Sequence, residues 1–145
     1  MNKLPTPNPD IQNFIVINFN LPDHTKELIT ADNLVAALTT KINQIITNNS
    51  LTSNLHTSLY EDVIKLLDWA GRMSMPLFEV EDDIEALYVK EYIHCPALAK
   101  ELFYQHYEQL HKPYTLLKHR CYWLLDKLDA TYQDKFHKTP PNWNI

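Results

Sequence analysis

The chain has 145 residues, 45% hydrophobic and 21% charged, with a formal net charge of -5; it is long enough for one buried core and too apolar for wholesale disorder. A single glycine, Gly71, disfavours all-β meanders and the glycine-rich loops of P-loop and Rossmann nucleotide sites, which depend on positive φ angles. The acidic balance disfavours nucleic acid as a partner and favours a protein with a basic surface.

The first ten residues carry Pro5, Pro7 and Pro9, so they read as extended or disordered, the start of an N-terminal arm over residues 1–22. The apolar run near the N-terminus, Phe14 to Ile17, has four residues, and the longest in the chain have five. No signal peptide or membrane span is legible in it. Ile11 to Phe19 fits two patterns: as a strand, Ile15, Ile17 and Phe19 share a face, and as a helix capped by Asp10, Ile11, Phe14, Ile15 and Phe19 form a stripe. A strand there needs a partner, and Pro76 to Val80 is the eligible segment for a short two-stranded β ribbon.

From Ala31 the reading is helical, because Val35, Leu38, Ile42 and Ile45 recur at helical steps with Thr30 available as N-cap. Ten of the twelve asparagines lie in residues 2–54 and none between Leu55 and Pro141, which places an internal seam at Thr47 to Asn54. A second helix is expected from the capping box Ser58-Leu-Tyr-Glu61, closed by Gly71 and broken by Met73 to Pro76. A third is expected from Asp82 or Asp83 to His94 or Cys95. Pro96 then opens a fourth, to about Lys112, and Pro113 a fifth, to about Phe136. Residues 137–145 read as an extended tail.

The expected architecture is thus one mainly α domain over 1–145, with a bundle of four to five helices in residues 23–136. Its last helix has an ordinary core stripe of Leu117, Cys121, Leu124, Leu125, Leu128 and Tyr132, with Trp123 well off it. Cys95 and Cys121, without an export signal, point to reduced thiols in the cytoplasm. Both fall on apolar helix faces, as does His106, which suits a core histidine held by one hydrogen bond.

Two Glu-x-x-His tetrapeptides, Glu91 to His94 and Glu108 to His111, offer the most chemical pattern. An i, i+3 spacing on a helix puts a carboxylate and an imidazole on one face, as di-iron and di-manganese carboxylate bundles require. Against a metal-dependent oxidoreductase, the two motifs lie on consecutive helices, and the bundle site needs a glutamate from each of two further helices. No zinc motif, nucleophile elbow or other catalytic signature is present. The expectation is no enzyme and no cofactor, with Glu91, His94, Glu108 and His111 as the alternative metal set.

Residues 49–95 hold three basic and nine acidic side chains, whereas 96–145 hold seven and five. The acidity concentrates in Glu79, Glu81, Asp82, Asp83 and Glu85, across a helix start. Helix-dipole complementation accounts for part of it; docking of a basic surface accounts for its density. Aromatic and basic residues interleave from Phe103 to Trp123, but aromatics at helical spacing belong mostly to cores. The leading functional expectation is a small cytoplasmic protein-binding module, an inhibitor, immunity-type antagonist or adaptor, using the acidic cluster with Trp123 as aromatic anchor. A structural homo-oligomer built on the helix from Ala31 to Asn48 is a further alternative.

Overall fold

The computed structural model describes Ile15 and residues 19–140. The chain is mainly helical, and the described residues form α1 (Thr25–Thr47), α2 (Ser53–Glu79), α3 (Glu81–Glu91) and α4 (Pro96–Phe136). No described residue lies in a strand, and Ile15 and Phe19 are helical. The β-ribbon expectation is corrected at its second strand, because Pro76 to Glu79 is the last turn of α2. Most of the proline-rich arm and the end of the tail lie outside the described residues.

Helix α1 begins at Thr25, earlier than expected. Thr30 is not its N-cap but an interior residue whose hydroxyl donates to the Lys26 carbonyl at 3.2 Å, a back-bond that lets threonine sit inside a helix. Val35 and Ile42 are wholly buried, as the four-residue spacing requires. The helix ends in a Schellman closure, in which Asn49 takes a positive φ of 51°. The Ser50 amide donates to the Ile45 carbonyl at 3.0 Å and the Asn49 amide to that of Ile46 at 3.1 Å, satisfying carbonyls the helix leaves open.

Helix α2 starts at Ser53 rather than Ser58, with the Thr52 hydroxyl accepting from the Leu55 amide at 3.1 Å, an N-cap bond. It then runs through Gly71 and Pro76. Gly71 has no positive φ, so it does not close the helix, and Met73 to Pro76 does not break it. Proline inside a helix forfeits one backbone bond; the helix persists because buried residues continue on both sides, Ala70 in one core and Leu77 in another. Likewise α4 continues through Pro113, merging the expected fourth and fifth helices, with Leu110, Tyr114 and Leu117 buried around the proline. Packing overrides propensity at both prolines.

The chain divides into two compact units, one comprising 73–114 with the described residues up to His24, the other Thr25–Arg72 with the residues from Thr115. The expected seam at Thr47 to Asn54 is therefore the α1–α2 connection inside one unit. The first unit buries Ile15, Leu77, Ile84, Tyr88, Phe103 and Tyr107 in one cluster. In the second, α1, α2 and α4 pack Val35, Ile42, Leu59, Val63, Leu124 and Leu128, and the whole stripe expected from Leu117 to Tyr132 is buried. Lys135 Nζ ties α4 to the α1–α2 connection by donating to the carbonyls of Asn49 at 2.9 Å and Leu51 at 2.7 Å.

Candidate functional site

The acidic residues meet where α2 gives way to α3. Val80 caps α3 without a side-chain hydrogen bond, so the amides of the first turn rely on the carboxylates of Glu81, Asp82 and Asp83 for electrostatic complement. Glu81 also has a packing role. Burial, together with the neighbouring Glu81 charge, holds the Tyr107 phenol above its ordinary pKa. The Tyr107 hydroxyl donates to the Leu77 carbonyl at 3.3 Å.

Glu79, Asp82 and Asp83 are exposed and Glu85 is half-buried. Among the described residues none of these four takes part in an ion pair. Beside them on α2, Met75 is 51% and Phe78 46% exposed, spaced three residues apart and thus on one face. The Phe78 ring lies 6.4 Å from the His111 ring between centroids, tilted by 32°. Unpaired carboxylates and two apolar side chains therefore share one stretch of the first unit.

Trp123 belongs to the other unit. It is 51% exposed, with the Lys127 ammonium 4.4 Å from its ring centroid, a cation–π contact. The same Lys127 donates to the Asn43 side chain at 2.9 Å, which fixes the cation over the indole.

The four residues of the alternative metal set are not gathered. α3 ends at Glu91, so His94 lies in the α3–α4 connection, where Pro96 disfavours helical backbone at the residue before it, and the helical i, i+3 relation is lost. His94 and Glu108 are exposed, while the His111 ring packs against Tyr107 at 5.1 Å. Among the described residues no group of three or more histidine, cysteine, aspartate or glutamate side chains is placed to hold a metal ion.

Cys121 is buried as its helix face requires, and burial pushes its thiol up to about 11. Cys95 is exposed, contrary to the apolar-face expectation, because it too lies in the α3–α4 connection. His106 is wholly buried and hydrogen-bonded through Nδ1 to the Tyr88 hydroxyl. Burial lowers the imidazole's pKa and raises the phenol's, so the phenol donates to a neutral imidazole.

The pattern of spacings gave no warning of His56. It is wholly buried on α2, with Nε2 2.8 Å from Asp129 of α4. Tyr60 stacks on it at 5.6 Å and Tyr132 tilts against it at 4.9 Å. A carboxylate–imidazole pair is what general-base catalysis uses, but this imidazole is enclosed and cannot meet a substrate. Ser53 bonds the Tyr132 hydroxyl at 2.8 Å, which leaves a structural polar cluster. Its only sequence signal is that His56 and Leu59 lie on one helical face.

A second surface feature lies between α1 and α2, an open groove of about 660 Å³. Ala31, Leu34, Leu38, Leu66 and Trp69 make its floor and walls, and Lys26, Glu27, Asp62 and Lys65 stand among its lining residues as charges. Compared with known proteins, the chain matches no family model, no curated protein and no solved structure.

Proposed function

We propose that the chain is a protein-binding module whose α2–α3 junction docks a basic surface of another protein, in the manner of an inhibitor, immunity-type antagonist or adaptor. One observation carries the reading: Glu79, Asp82 and Asp83 are exposed and make no ion pair among the described residues, directly beside exposed Met75 and Phe78. Carboxylates without internal counter-charges raise the rate of encounter with a cationic surface, and adjacent apolar side chains supply the contact that slows release. Trp123 is a separate aromatic anchor in this reading, available to the same or another partner.

The test is paired affinity capture with the native chain and a Glu79→Lys/Asp82→Lys/Asp83→Lys variant, followed by association kinetics of the purified partner at several salt concentrations. The native chain should associate faster at low salt, and the variant should lose both the speed and the salt dependence. A partner that binds both chains with the same kinetics removes the acidic surface from the interface.

A further inference from the structure

The groove between α1 and α2 is an interaction surface separate from the acidic junction, and we infer that it is filled by α1 of a second copy of this chain, forming a two-fold symmetric dimer. The short connection makes α1 and α2 antiparallel neighbours. The α1 wall extends from Lys26 to Leu38, which at 1.5 Å per residue is about 18 Å, the length of three helical turns. A groove between antiparallel helices with an apolar floor is the shape that receives a third helix.

The same helix that walls the groove carries what could fill it. Leu34, 51% exposed, is a large apolar side chain left in water on the groove wall itself. An isologous interface needs one patch that is both receptor and ligand, and α1 supplies both parts.

Charge selects the second copy over other occupants. The chain as a whole carries -5, so a face without net charge is one on which two copies meet without net repulsion. The groove is bordered by two lysines, Lys26 and Lys65, and two carboxylates, Glu27 and Asp62. Such a rim has no net charge and gives neither a strongly basic nor a strongly acidic partner an advantage. Against its own image, however, each lysine can meet a carboxylate.

Sedimentation velocity of the full chain from about 1 µM to about 100 µM, a range that brackets micromolar self-association, tests the inference with variants at exposed positions. The native chain should pass from monomer to dimer. Leu34→Lys should remain monomeric throughout with unchanged helical circular dichroism. Lys65→Glu should weaken the dimer at least tenfold, and adding Glu27→Lys on the facing α1 should restore it. A native chain that stays monomeric at the highest concentration overturns the inference, and so does a dimer that survives Leu34→Lys. Native mass spectrometry showing a monomer with a small apolar molecule or a foreign helical peptide displaced by Leu34→Lys also overturns it, because the groove then has another occupant.

Discussion

His56 Nε2 and the Asp129 carboxylate lie 2.8 Å apart across 73 residues of sequence, joining α2 to α4 in a buried cluster with Tyr60 and Tyr132. Removing one member leaves the other buried with a partner lost, which costs about 3 kcal/mol. His56→Leu and Asp129→Leu should each lower the free energy of urea unfolding by roughly that amount. The double variant should lose distinctly less than the sum, because neither side chain is then left buried without the other. Strict additivity in the equilibrium unfolding curves would show that the two side chains contribute independently.

Gly71 sits in the interior of α2 with ordinary helical backbone, and a Cβ built on it meets no atom within 4 Å. Alanine removes the conformational freedom that glycine gives the unfolded chain and adds no clash. Gly71→Ala should therefore raise stability by about 0.5–1 kcal/mol. The midpoint of thermal unfolding should rise by a few degrees. A fall in the midpoint would mean that Gly71 serves a bend or an approach that alanine disturbs.

That glycine also marks where the sequence misleads. Apolar spacing located the faces of α1 and the last half of α4 correctly, since Val35, Ile42, Leu117, Cys121 and Leu128 are all buried. Punctuation residues were the weak guide. Gly71, Pro76 and Pro113 each read as a boundary on local propensity, yet each lies inside a helix, because cores on either side bury enough surface to outweigh one lost backbone bond. The same local view placed His94 on a helix and Cys95 on an apolar helix face. In the fold both lie in the α3–α4 connection and both are exposed. The acidic cluster was visible as composition. The groove and the His56–Asp129 pair were not, since both are made by segments whose pairing periodicity does not specify.

The two thiols should separate cleanly in reactivity. Cys95 is exposed in the α3–α4 connection, whereas Cys121 is buried among the leucines of α4 with its thiol pushed up to about 11. Thiolate is the reactive form and it must be reached by the reagent. Under native conditions near neutral pH, iodoacetamide should label one cysteine quickly, and peptide mapping should place the label on Cys95. Cys121 should react only at the rate of unfolding or in denaturant. Equal labelling of both in the native chain would contradict the burial of Cys121.

His106 gives the fold an acid-sensitive point whose sign follows from its surroundings. The imidazole is wholly buried, edge-on to Tyr88 at 5.2 Å and bonded to its hydroxyl. Burial lowers its pKa below the ordinary 6.5. The unfolded chain therefore takes up a proton at this site before the folded chain does as pH falls. The stability it contributes is complete above about pH 6.5 and is lost progressively as pH drops toward the lowered folded value. Tyr88 acts in the opposite direction at the alkaline end: its raised phenol pKa means the unfolded chain ionises first, so stability declines as pH climbs past about 10. Replacing His106→Gln keeps an acceptor for the Tyr88 hydroxyl and removes the titration. Unfolding free energies measured from about pH 8 to about pH 5 should fall less steeply for the variant than for the native chain, with the two curves converging toward acid. Parallel curves would show that the acid sensitivity of the fold resides in its carboxylates and not in this imidazole.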